Sequence, residues 1–132
     1  MLLIIKINFF AFLYALLLFI ETELLLNSYR LHRMLSWFNV KTNVLLGCVI
    51  FIVLTIIFYS ITTKYLDTGK FRYFLTVLWI PYYIILVLLF AHLVPITYPG
   101  DEPLGGVAFI ILGMFFIFPL YVAAITAIGT KD

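Results

Sequence analysis

Four long apolar runs alternate along the chain with short polar or turn-forming segments, at residues 2–20, 44–63, 73–94 and 107–128. About 20 apolar residues cross the hydrocarbon core of a bilayer as a helix, and an open chain satisfies its own backbone there only as a helix. The pattern predicts an all-α integral membrane bundle of four transmembrane helices, a single multi-pass domain over residues 1–132.

The segments between the runs differ in kind. In residues 21–43, Leu31, Met34, Leu35 and Phe38 recur at i, i+3, i+4 and i+7, while Asn27, Arg30 and Arg33 fall largely elsewhere on the wheel. This predicts a short amphipathic interfacial helix between the first and second spans. Trp37 would sit at headgroup depth, and Arg30, Arg33 and Trp37 are the candidate contacts to lipid or to a partner. Leu24, Leu25 and Leu26 can instead prolong the first helix by a turn. Residues 64–72 form a basic hairpin tip in which Lys64, Lys70 and Arg72 flank the turn formers Asp67, Thr68 and Gly69. Residues 94–106 are dense in proline and glycine, carry Asp101 and Glu102, and contain no Lys or Arg.

Within the runs, polar residues are few. Lys6, Phe10, Tyr14, Leu17 and Glu21 share one helix face. The simpler reading, taken as the expectation, is that Lys6 and Glu21 mark the two ends of the first span, where long charged side chains reach the headgroups. Cys48, Thr55 and Thr62, spaced by seven, fall on one face of the second run and are expected to pack against another helix. Pro81 and Pro119 each remove one backbone hydrogen bond and predict kinks. Ala123 and Ala127 offer a small-residue pair for close helix approach, and Gly113 a second such point.

Composition supports this reading. Hydrophobic residues make up 66% of the 132 residues and charged residues 11%, against about 45–50% and about 25% in soluble domains. Mean hydropathy is +1.23. A net charge of +2 gives no reason to expect nucleic acid, and one cysteine excludes an internal disulfide. Of the eight basic residues, Lys6, Lys64, Lys70, Arg72 and Lys131 fall on the side of the termini; Arg30, Arg33 and Lys41 fall on the other. The positive-inside rule then predicts cytoplasmic termini in a cell membrane, with Lys64, Lys70 and Arg72 as the topology-determining residues.

Candidate chemistry is sparse. His92, Asp101 and Glu102 lack metal-ligand spacing and read as a solvated loop. No nucleophile–base pair or phosphate loop is present, so no catalytic residue, metal or cofactor is expected. In size and hydropathy the whole chain resembles the immunity proteins of pore-forming bacteriocins, which are small, multi-span and carry basic loops. That resemblance implies recognition of another membrane protein and assigns no site residue. The expectation is a non-enzymatic interaction protein, an accessory subunit or an immunity-type protein, whose partners are the lipid bilayer and another membrane protein or a second copy. The alternative is a subunit of a small oligomeric transporter or channel. Against it, the only carboxylates near a span, Glu21 and Glu23, are expected at its end.

Overall fold

A computed structural model describes residues 2–66, 69–95 and 105–130, and is helical throughout its long elements. Helix α1 spans Leu2–Leu26, α2 Ser28–Met34, α3 Val40–Tyr65, α4 Leu75–Leu93 and α5 Gly105–Gly129; a short 3-10 helix, Lys70–Phe74, leads into α4. Among the described residues, α1, α3, α5 and α4 with its 3-10 entry are each long and apolar enough to cross a membrane.

The helix ends differ from the sequence expectation in ways the local chemistry explains. α1 runs to Leu26, a turn and a half beyond residue 20, because the Leu24–Leu26 stretch continues the helix and no breaker intervenes. α3 begins at Val40, where the Asn39 side chain accepts from the Thr42 backbone N–H at 2.9 Å and so caps the first turn. α4 and α5 both continue through their prolines, Pro81 and Pro119.

The connection between α1 and α3 holds a shorter helix than the apolar spacing implies. α2 ends at Met34, and Leu35 is extended. Phe38 is buried, but as part of a turn: its N–H donates to Leu35 O at 2.9 Å, and its carbonyl lies 2.5 Å from His32 Nδ1. α2 buries none of its own residues. The expected interfacial stripe is therefore split between a seven-residue helix and a turn.

α1 is the centre of the bundle. It packs most extensively on α4 and touches α3 and α5; α5 in turn packs on both α3 and α4. α1 and α5 thus share the diagonal, with α3 and α4 on either side. Ala11 and Ala15 of α1 are completely buried, as small residues must be where helix backbones approach closely. Between them Tyr14, also completely buried, meets Phe58 of α3 at 4.8 Å between ring centroids. It also meets Phe118 and Tyr121 of α5 at 6.4 and 6.2 Å. Trp79 of α4 packs edge-on against Phe118 at 4.9 Å, and Tyr83 against Phe115 at the same distance. These edge-to-face contacts, favoured by the ring quadrupoles, join all four long helices.

The buried seam of α5 is Phe118, Val122, Thr126 and Gly129. The expected pair Ala123 and Ala127 is not on it: Ala127 is exposed and Ala123 half-buried. Close approach occurs instead at Gly129, where an added Cβ would stand 2.6 Å from Thr62 Cγ2 and 2.9 Å from Thr62 Cβ. At Gly113 an added Cβ would meet nothing within 4 Å.

These two glycines give opposite predictions. Alanine is favoured over glycine in a helix by about 0.5–1 kcal/mol, while forcing a methyl group into a packed contact costs about 1–3 kcal/mol. Gly129→Ala should therefore lower the thermal unfolding midpoint in detergent, and Gly113→Ala should hold or raise it. Equal midpoints for the two variants would contradict the packing described at Gly129.

Candidate functional site

Among the described residues, several polar side chains inside the long helices form tied pairs, while Tyr14, Thr62 and Thr126 are buried outside such pairs. Tyr82 of α4 donates to Asn8 Oδ1 of α1 at 2.5 Å, and Asn8 Nδ2 donates back to Ile4 O at 2.8 Å. Thr22 of α1, completely buried, donates to Leu18 O and lies 2.9 Å from Tyr83 Oη of α4. Thr55 of α3 and Tyr121 of α5 are 2.6 Å apart through their hydroxyls. Asn43 of α3 donates from Nδ2 to Leu24 O of α1 at 2.9 Å. Glu23 accepts from Asn27 Nδ2 at 2.7 Å, and Arg30 lines the same cavity.

Glu21 forms no such pair, and α1 continues for five residues beyond it, so it stands within the helix rather than at the helix end. Its carboxylate lies over Gly47 of α3, close enough that a Cβ there would be 3.0 Å from Oε2. Oε1 is sealed from solvent and accepts no hydrogen bond. The same holds for Asn43 Oδ1, because the bond from Nδ2 to Leu24 fixes the amide with its oxygen unused.

Glu21 lies between two adjoining cavities. One, about 390 Å³, is lined by Glu21, Leu24, Asn43, Gly47, Cys48 and Phe51, among others; the second, about 180 Å³, by Leu17, Leu18, Ile117, Phe118 and Tyr121. Glu21, Phe51 and Met114 are common to both. Val44, Cys48 and Ile52 on the wall of the larger cavity are also exposed, so it opens sideways, between α1 and α3 and toward α5. Cys48 therefore does not pack against another helix as expected; of its trio, Thr55 and Thr62 do.

The sequence signal for this site was the face shared by Lys6, Phe10, Tyr14, Leu17 and Glu21. In the structure Phe10, Tyr14 and Leu17 are all buried, so that face is the core side of α1 and carries Glu21 inward with it. Of the other candidate residues, Arg33 and Trp37 are exposed and Arg30 is half-buried, its Nη1 donating to Val94 O at 3.2 Å. Lys64 and Lys70 are exposed. Arg72 donates to Gly69 O at 2.9 Å and stacks over the Tyr73 ring at 4.6 Å. The basic tip and the Arg30–Trp37 segment lie at opposite ends of the bundle and form no common site. His92 is exposed, and Asp101 and Glu102 lie outside the described residues. Comparison with known proteins finds no matching family, no similar curated protein and no similar solved structure.

The interhelical pairs can be tested by coupling. Thr22→Val and Tyr83→Phe together should show a double-mutant interaction of about 0.6 kcal/mol, and at most about 1.7, as interhelical bonds in membrane proteins do. Thr22→Val with Thr55→Val, which share no partner, should be additive. Chemical denaturation in mixed micelles reads both cycles, and a null first cycle would remove the pair as a tie between α1 and α4.

Proposed function

We propose that the chain is an integral membrane protein that acts without catalysis, by lateral contact with another membrane protein, as an accessory subunit or immunity-type protein. Insertion in the bilayer is supported by what the helices turn outward. Leu45, Ile52 and Ile56 of α3, Leu88 of α4 and Phe109, Phe116 and Leu120 of α5 are all more than half exposed. Soluble proteins rarely expose contiguous apolar patches beyond a few hundred Å².

The observation that carries the contact reading is the outward face of α5. Phe109, Gly113, Phe116, Ile117 and Leu120 follow i, i+4, i+7, i+8 and i+11; the four side chains are 64–78% exposed, and the space above Gly113 is open. A glycine notch between large knobs is the form in which helices meet in hydrocarbon, where packing rather than water drives association. Gly113→Leu should leave the monomer folded, because a Cβ added there meets nothing within 4 Å. It should abolish co-purification of a stoichiometric membrane partner in mild detergent. Unchanged recovery of that partner with the variant would overturn the assignment of this face.

The second reading, a subunit of an oligomeric transporter or channel, is favoured by one observation: Glu21 stands inside α1 rather than at its end. A homo-oligomer as the sole stable assembly would support it over the first.

The termini are proposed to be cytoplasmic in the cell membrane, held there by Lys64, Lys70 and Arg72 beside two span ends. Neutralising these three leaves Lys6 and Lys131 against Arg30, Arg33 and Lys41, and the inserted orientation should invert or become mixed. A reporter fused after Asp132 that functions on either side reads this directly; a signal that stays cytoplasmic would remove the tip as organiser.

A further inference from the structure

We propose that the two adjoining cavities around Glu21 bind an amphipathic organic cation. Its protonated amine pairs with the Glu21 carboxylate through Oε2, the oxygen that is not sealed, and its apolar body lies against Phe51 and Met114. Two features of the site define this ligand. The first is a shortage of donors and positive charge. Glu21 Oε1 accepts nothing from the described residues, Asn43 Nδ2 is committed to Leu24, and among the described residues no Lys, Arg or His lines either cavity. A buried carboxylate is stable only when paired and hydrogen-bonded, and an ammonium supplies both charge and donors.

The second feature is the wall. Apart from Glu21 and Asn43, the larger cavity is lined by aliphatic, aromatic and sulfur-bearing side chains and Gly47. A hard metal ion takes about six or more oxygen ligands, which two side chains in such surroundings do not provide. The apolar volume suits a hydrocarbon body instead, and about 390 Å³ falls within the range of small-molecule sites, about 300–1,000 Å³. Phe51 and Tyr121, whose rings lie 5.2 Å apart, add aromatic faces on which a cation is stabilised. The sideways opening past Val44 and Ile52 admits a ligand from the apolar surroundings of the bundle. The contact face at Gly113 meets this site at one residue, Ile117, which lines the smaller cavity; Gly113 itself lines neither.

The test uses the purified full-length protein in a neutral detergent, with dodecylammonium as probe and dodecanol as its uncharged counterpart, by equilibrium dialysis. Saturable binding of the amine is expected, about tenfold or more tighter than the alcohol, since a charge-assisted bond is worth about 1.5–3 kcal/mol and tenfold is about 1.4. Glu21→Gln should lose that preference while melting no lower than the parent protein. Glu23→Gln should keep it, because Glu23 has its own partner in Asn27. Met114→Trp, which fills the wall common to both cavities, should lower binding of amine and alcohol alike with Glu21 intact. Equal affinity for amine and alcohol would overturn the proposal. So would an undiminished preference in Glu21→Gln, or loss of an oligomer in that variant with no probe binding in the parent protein. Repeating the assay in nanodiscs with and without phosphatidylethanolamine separates the sources of the amine. Displacement of the probe by that lipid identifies a headgroup as the ligand, and no displacement identifies a free amphiphile.

Discussion

Helix α1 is held on three sides, and the small side chains of Ala11 and Ala15 make that possible. In the hydrocarbon surroundings proposed for this bundle, apolar burial does not draw helices together, so association rests on contact distance and on specific pairs. Two alanines a turn apart bring a neighbouring backbone close. Tyr14 then projects from between them into the space where α3 and α5 converge, and its ring contacts Phe58, Phe118 and Tyr121. Enlarging either alanine would move the helix outward and open the aromatic cluster on which α3, α4 and α5 all lean.

Close approach leaves rotation and register unsettled, and the polar pairs fix both. Asn8 with Tyr82 and Thr22 with Tyr83 tie α1 to α4 at two heights. Thr55 with Tyr121 does the same for α3 and α5. Asn43 ties α3 to the α1 backbone near the end where both helices turn toward α2. Each tie is weak by itself, yet together they leave few ways to slide one helix along another. Tyrosine suits this use because its ring packs in the apolar layer while its hydroxyl reaches a partner.

The four long helices were legible from apolar run length, since little else can satisfy a backbone in such stretches. Their ends were less so, because Leu24–Leu26 and the Asn39 cap extend α1 and α3 with residues that read equally well as connection. The apolar spacing around Leu31–Phe38 was mistaken for one helix because a turn that buries Phe38 leaves the same trace as a helix that buries it. Which small residues meet another helix could not be read from spacing alone. Ala123 and Ala127 have the same separation as Ala11 and Ala15, and only the positions of the neighbours distinguish them. Glu21 shared a face with Tyr14 and Leu17, and that alignment held the information that the face was inward.

Glu21 and Gly47 together show how the bundle admits a charged group. Glycine lets the carboxylate lie against the α3 backbone, but it does not compel it, since the atom that a Cβ would meet is the mobile end of the glutamate. The polar ties between helices are worth about 0.6 kcal/mol each on average, whereas an uncompensated buried charge costs several kcal/mol. A handful of such ties cannot offset one bare carboxylate in a fold whose net stability is about 5–15 kcal/mol. Glu23, two residues on, avoids the problem through Asn27. Glu21 has no such neighbour among the described residues lining its cavities, so it either holds its proton or takes a partner from outside the chain. A carboxylate serving only to mark a helix end would sit better one turn later, in reach of the polar groups at Asn27 and Arg30, and the proposed ammonium ligand accounts for its place over Gly47.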